Sequence, residues 1–189
     1  LIEKIWKLLL HTNDSNLREK LITYIDNNNM TLSKSVLNVY QNFNFKEREI
    51  VSNKFFNKWS KNSIVLDSWF SFCASIEIDN YIETLENLFN HKSFDNKSPN
   101  TLRSILNGFV SNNRFFHDQE GKGYNYIAKK VIEFDKQNPI IISRFIKLFS
   151  RWDKYVEPYK TNMLNAIKFI DSHDLSINSR EVIDLILKK

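Results

Sequence analysis

Four histidines, His11, His91, His117 and His173, are the side chains best suited to acid–base work or metal ligation near neutral pH. They are scattered. None has a second histidine or a cysteine at ligand spacing, and no H-E-x-x-H places two imidazoles on one helix face. The sequence therefore predicts no metal site and no catalytic residue. Gly121-Lys122-Gly123 lacks the further glycine and the Lys-Ser/Thr pair of a phosphate loop, and it reads as the entry turn of a helix. Asp118 and Glu120 have no fixed separation and read as solvated loop carboxylates. Cys73 is the only cysteine, so no internal disulfide can form, and its apolar neighbours predict a small buried thiol. Phe55-Phe56-Asn57-Lys58-Trp59 interleaves aromatic rings with a cation, as a platform for single-stranded nucleic acid would. At helical spacing such rings belong to a core, so nucleic acid is not the expected partner.

Two arginines stand apart. Ile141, Phe145, Leu148, Phe149 and Trp152 define an apolar stripe, and Arg144 falls inside its arc. One reading is a buried guanidinium satisfied by helix-end carbonyls or by a carboxylate such as Asp135. The other is an arginine facing a cavity. Arg103 is a parallel case, flanking Leu102, Leu106 and Val110. On inner faces of neighbouring helix pairs, the two could converge on an anionic group through charge-assisted hydrogen bonds.

These side chains need elements to carry them, and the composition points to helices. Among 189 residues there are only three Gly and three Pro, which sheets and their turns use freely, while 42% of the residues are hydrophobic. Apolar residues recur at helical spacing from end to end, predicting about ten helices. Leu1 to Leu10 forms one, Asp14 caps the next through Leu17, Leu21 and Ile25, and Thr31 caps a third with Ser35, Val36, Val39 and Tyr40 on its inner side. Further faces pair Val51, Phe55 and Trp59, then Leu66, Trp69, Phe70 and Cys73, then Tyr81, Leu85, Leu88 and Phe89. His91 to Lys97 reads as a loop. Ser98-Pro99, Asn138-Pro139 and Glu157-Pro158 place proline at helix starts, where its missing N–H does no harm. Gly121-Lys122-Gly123 precedes the stripe Tyr124, Ile127, Ala128 and Val131, and Ser176 precedes a last helix that docks through Val182, Ile183 and Ile186.

Short connections make successive helices antiparallel neighbours, so the expected fold is all-α, a superhelical stack of antiparallel helix pairs of the HEAT or armadillo type. No strict repeat is visible, and no linker marks a boundary, so residues 1–189 read as one helical-repeat domain. The first residue is Leu, which suggests a fragment. The formal charge is +5, but 27 basic and 22 acidic residues are spread along the whole chain and read as an ordinary solvated surface. No apolar run reaches the roughly 18 residues of a membrane span, and no signal-like segment opens the chain, so no membrane partner and a cytoplasmic location are expected.

Ordered short segments resemble the C-terminal helical domain of aminopeptidase N, the zinc-dependent alanyl aminopeptidases. Asn28-Asn29-Met30-Thr31 resembles that family's N-N-M-T helix entry, Phe56-Asn57-Lys58-Trp59 its F-Y-N-K-W segment, and Val65-Leu66-Asp67-Ser68-Trp69-Phe70 its V-M-D-K-W-F. Asn90-His91-Lys92-Ser93-Phe94 and Ser98-Pro99-Asn100 resemble H-P-x-F and N-P-N-R, with Thr101 in place of the arginine. Arg103-Ser104-Ile105 is similar to R-S-L, Phe116-His117 to F-H, and Gly121-Lys122-Gly123-Tyr124 to G-S-G-Y, with Lys122 replacing the small residue. Asn138-Pro139, Ser143-Arg144 and Arg151-Trp152-Asp153 are similar to later segments, so the likeness runs from about Leu17 to the end of the chain.

The resemblance implies a non-catalytic domain that closes over a zinc-bearing catalytic domain of the same polypeptide and limits which peptide substrates reach the metal. It implies an enzyme that removes N-terminal residues from peptides with a zinc held by H-E-x-x-H and a more distant Glu. Those ligands lie upstream in the family and are absent from this chain, so the segment itself needs no cofactor and should be inactive alone. Arg103 and Arg144 fall on family arginines resembling substrate-cavity residues. The competing expectation is a free-standing helical-repeat scaffold that binds protein or nucleic acid.

Overall fold

In the computed structural model the described residues, 2–12, 14–41, 43 and 46–188, contain twelve α-helices and two 3₁₀ segments and no strand. The all-α expectation holds. The helices are α1 (Ile2–Leu10), α2 (Ser15–Thr23), α3 (Met30–Tyr40), α4 (Lys46–Trp59), α5 (Ser63–Ala74), α6 (Tyr81–Phe89), α7 (Pro99–Val110), α8 (Asn113–Phe116), α9 (Lys122–Phe134), α10 (Pro139–Ile146), α11 (Tyr159–Asp171) and α12 (Ile177–Leu187). Leu1, expected to open the first helix, lies outside the described residues. None of these helices is long and apolar enough to cross a membrane.

Helix starts follow side-chain chemistry. Asp14 caps α2 by accepting from the N–H groups of Asn16 and Leu17 at 2.9 and 3.3 Å, as expected. Ser98 Oγ accepts from Thr101 N–H at 3.4 Å at the start of α7, and Ser176 Oγ accepts from Ser179 N–H at 3.3 Å at the start of α12. The cap expected at Thr31 belongs instead to Asn29, whose extended backbone lets its side-chain Oδ1 accept from Leu32 N–H at 3.1 Å. Thr31 sits inside the first turn.

The chain groups into two compact units, one of Leu1–Phe94 with Asn107–Phe109, the other of Asp95–Leu106 with Val110–Lys189. In the first, α3 packs on α1 and α4, and α5 packs on α4 and α6. Ile25, Val36, Leu37, Tyr40, Val51, Phe55 and Phe70 are wholly buried there. Lys58 closes this unit by donating to the carbonyls of Ile25 and Asn27 at 2.9 and 2.5 Å. Trp69 Nε1–H donates to Ser52 Oγ at 2.9 Å, and the Cys73 thiol lies 3.7 Å from the same hydroxyl. Burial pushes that thiol up to about 12, out of the range of reactive cysteines.

In the second unit, α9 packs on α10 and α11, and α10 packs on α12, around Ile127, Ile142, Ile146, Phe149, Met163, Ile167 and Ile183. Asp135 ties it together. It is 1% exposed at the end of α9, and its carboxylate accepts from Ser176 N–H at 2.5 Å, from Ser176 Oγ–H at 2.8 Å and from Ser179 Oγ–H. A negative charge thus meets the positive end of the α12 dipole and takes up amide and hydroxyl protons that would otherwise be buried unpaired. Replacing Asp135 by Ala should lower unfolding stability by about 2–4 kcal/mol. Urea denaturation of the 189-residue chain checks this, with amide exchange quickening first in α12; a loss below about 0.5 kcal/mol would contradict it.

Candidate functional site

The turn between α8 and α9 gathers several polar side chains. Its shape is fixed by two glycines. Gly121 takes φ +74°, which side chains disfavour, and a Cβ there would lie 2.8 Å from Asn162 Cγ. Gly123 lies against the Phe115 and Phe116 carbonyls, where a Cβ would meet Phe116 O at 2.5 Å. Asp118 Oδ1 accepts from Glu120 N–H and Lys122 N–H at 2.9 and 3.2 Å, and Asn162 Nδ2–H donates to the Gln119 carbonyl at 2.9 Å. The carboxylate read from sequence as merely solvated therefore organises the turn.

Folding the turn this tightly brings His117 to Tyr124, with Nδ1 2.6 Å from the phenol oxygen. The His117 ring stacks on Tyr155 at 5.4 Å and 24°, and meets Phe116 edge-on at 4.8 Å. Burial lowers the pKa of His117, so the neutral imidazole is favoured. Burial, with Tyr155 and Tyr159 nearby, raises that of Tyr124, which stays a phenol. His117 borders an open cavity of about 720 Å³ lined also by Asn113, Arg114, Phe115, Asp118, Gln119, Glu120 and Tyr159.

The other histidines are packing groups. His11 meets Phe43, His91 meets Phe56 and Trp69, and His173 meets Phe169, all at ring distances of 4.7–5.3 Å. No group of three or more His, Cys, Asp or Glu among the described residues is arranged to hold a metal. The residues present do not fit a zinc site. In the aromatic and basic run of α4, Phe55 is wholly buried, Phe56 packs on Trp69, and Lys58 donates to two carbonyls.

Arg103 and Arg144 both lie in the second unit, and both are exposed. The expectation that Arg144 falls within an apolar arc is corrected. The buried arc of α10 is made by Ile141, Ile142, Phe145 and Ile146, and at 100° per residue Arg144 lies roughly 130° from its centre, beside exposed Ile140 and Lys147. The apolar series beyond Ile146 belongs to a 3₁₀ segment, Lys147–Lys154, with a different winding and a break in helical geometry at Arg151. Asp135 is not its partner, being held by Ser176 and Ser179. On α7, Thr101, Leu102, Ile105, Leu106 and Phe109 are buried and Arg103 projects outward, donating to Asn100 Oδ1 at 2.9 Å. The two arginines share no hydrogen-bond partner among the described residues.

Sequence reasoning passed over the His117–Tyr124 pair. Its only signal was the G-x-G turn between a histidine and a tyrosine seven positions apart.

The model of one domain family, described as a domain of unknown function (DUF3458_C) with ARM repeats, matches residues 1–188. The chain is 31% identical over 146 residues to aminopeptidase N of Haemophilus influenzae, covering 77% of this chain and 17% of that protein. It is 30% identical over 142 residues to aminopeptidase N of Escherichia coli, covering 75% and 16%. The chain thus spans about one sixth of the curated relatives it matches. A crystal structure of Legionella pneumophila aminopeptidase A in complex with aspartic acid superposes with a TM-score of 0.85 at 27% identity, over 97% of this chain and 22% of that one. Given that match over nearly every residue, the chain belongs to the DUF3458_C family of ARM-repeat domains and is homologous to the C-terminal helical region of aminopeptidase N.

Proposed function

We propose that this chain is the non-catalytic C-terminal domain of a zinc-dependent aminopeptidase, and that it caps the active-site cavity and controls which peptides enter. The observation that carries this reading is the family match across residues 1–188 together with aminopeptidase N relatives of which the matched segment is about one sixth. That single match also supports reading the two compact units as parts of one helical-repeat domain. The zinc and its ligands, the catalytic domain and a cytoplasmic location belong to the parent polypeptide in this proposal. Peptide substrates and that catalytic domain are the partners.

Outward-facing arginines suit such a role. A guanidinium offers a planar fork of donors to a peptide carboxylate or carbonyl, which lysine does not reproduce. Arg103 and Arg144, exposed in this chain, are the substrate-cavity residues we assign to the proposal. They would act on the part of the peptide remote from the scissile bond, through orientation and access.

Two measurements test this. The purified 189-residue chain should not hydrolyse an alanyl chromogenic amide with added zinc, and zinc-dependent turnover by a pure sample would refute the non-catalytic assignment. In the full-length enzyme, Arg144→Ala should lower kcat/KM for peptides of three or more residues about tenfold, a ~1.4 kcal/mol effect. The same variant should change cleavage of the small amide by less than about twofold. Equal effects on both substrates would remove the role in peptide access.

A further inference from the structure

His117 has no part in the reading above, yet its protonation can be worked out atom by atom. Tyr124 is wholly buried, and the only hydrogen-bond partner of its hydroxyl among the described residues is His117 Nδ1, 2.6 Å away. A phenol carries one proton, and a buried O–H left unpaired costs on the order of 1–3 kcal/mol. The phenol therefore donates and Nδ1 accepts. Burial keeps the imidazole neutral, in agreement with this arrangement. A neutral imidazole that accepts at Nδ1 carries its proton on Nε2, so the second nitrogen is a donor.

The ring cannot easily turn away. Tyr155 stacks on it, while Phe116 and Tyr124 meet it edge-on at 4.8 and 5.6 Å. His117 is half-buried and borders the cavity of about 720 Å³, a size within the roughly 300–1,000 Å³ of sites for small organic ligands. With Nδ1 committed to the buried phenol, Nε2–H is the donor left for a ligand in that cavity.

The charged groups bordering the same space are engaged within the protein. Asp118 Oδ1 accepts two turn amides, Glu120 is paired with Lys122 at 2.6 Å, and the Arg114 guanidinium lies over the Phe115 ring at 5.3 Å. The wall also includes the neutral amides of Asn113 and Gln119 and the hydroxyl of Tyr159. These neutral donors and acceptors match a peptide backbone better than a carboxylate or phosphate, whose charge would face two acidic residues and one arginine.

We propose that this cavity is a peptide-backbone subsite in which His117 Nε2–H donates to a carbonyl of an extended peptide. Asn113 and Tyr159 serve the neighbouring amides. The subsite rests on the peptide-handling reading above for its ligand class, but it lies wholly within the second unit and can be measured without any catalytic domain.

The test uses the ¹⁵N-labelled 189-residue chain and acetyl-tetraalanine amide, an uncharged peptide. Imidazole NMR should show His117 as the neutral Nε2–H tautomer, and titration should give saturable shifts at His117 and at the Tyr159 ring. A proton on Nδ1, or no shift up to about 20 mM peptide, would overturn the proposal. So would shifts produced by inorganic phosphate and not by the peptide. The double variant H117F/Y124F keeps two aromatic rings, removes the donor and leaves no unpaired phenol. It should bind the peptide at least fivefold more weakly, and unchanged binding would count against the subsite. If that variant does not fold, the tautomer and titration of the unaltered chain decide alone. Peptide binding here with no substrate selectivity in full-length Arg144→Ala would retain the subsite and reject access control; the opposite pair of results would do the reverse.

Discussion

A helix of eight to fourteen residues can bury one arc of its surface, and that restriction governs most of what this chain does. Such helices are marginal in isolation, so each must lay its apolar arc on a neighbour. On α10 the arc is Ile141, Ile142, Phe145 and Ile146, and on α7 it includes Leu102, Ile105 and Leu106. Once those arcs are spent on packing, the opposite faces are fixed as outward faces. Arg103 and Arg144 project from them, and the carboxylate of Asp135, which a buried arginine would need, is already filled by serines.

Connections do the remaining work of placing functional groups. The turn from α8 to α9 is tight because Gly121 accepts a left-handed conformation and Gly123 lets backbone touch backbone. That closeness brings His117 onto Tyr124, and burial then sets which atom holds each proton. The link from sequence to site is thus geometric first and electrostatic second. A looser turn would leave an ordinary surface histidine.

Much of the fold was legible because helical periodicity, scarce glycine and proline, and polar caps all point the same way. Asp14, Ser98 and Ser176 begin helices as their side chains dictate. Thr31 did not, because Asn29, two positions earlier, reaches the free amides first. Arg144 departs from its expected place for a definite reason: a stripe through Leu148 and Trp152 crosses a 3₁₀ segment and leaves out buried Ile142 and Ile146. Adding those two residues rotates the buried arc away from the arginine. His117 and Tyr124 were invisible as a pair, since nothing in a linear pattern says how sharply a G-x-G turn closes.

Under the proposed function, the outward faces of α7 and α10 meet peptide in the complete enzyme. Arginine footprinting with a dicarbonyl reagent on the full-length protein measures this most directly, with and without a slowly cleaved peptide. The peptide should protect Arg103 and Arg144 while exposed Arg151 stays reactive. Equal labelling of Arg103 and Arg144 in the presence and absence of saturating peptide would contradict it.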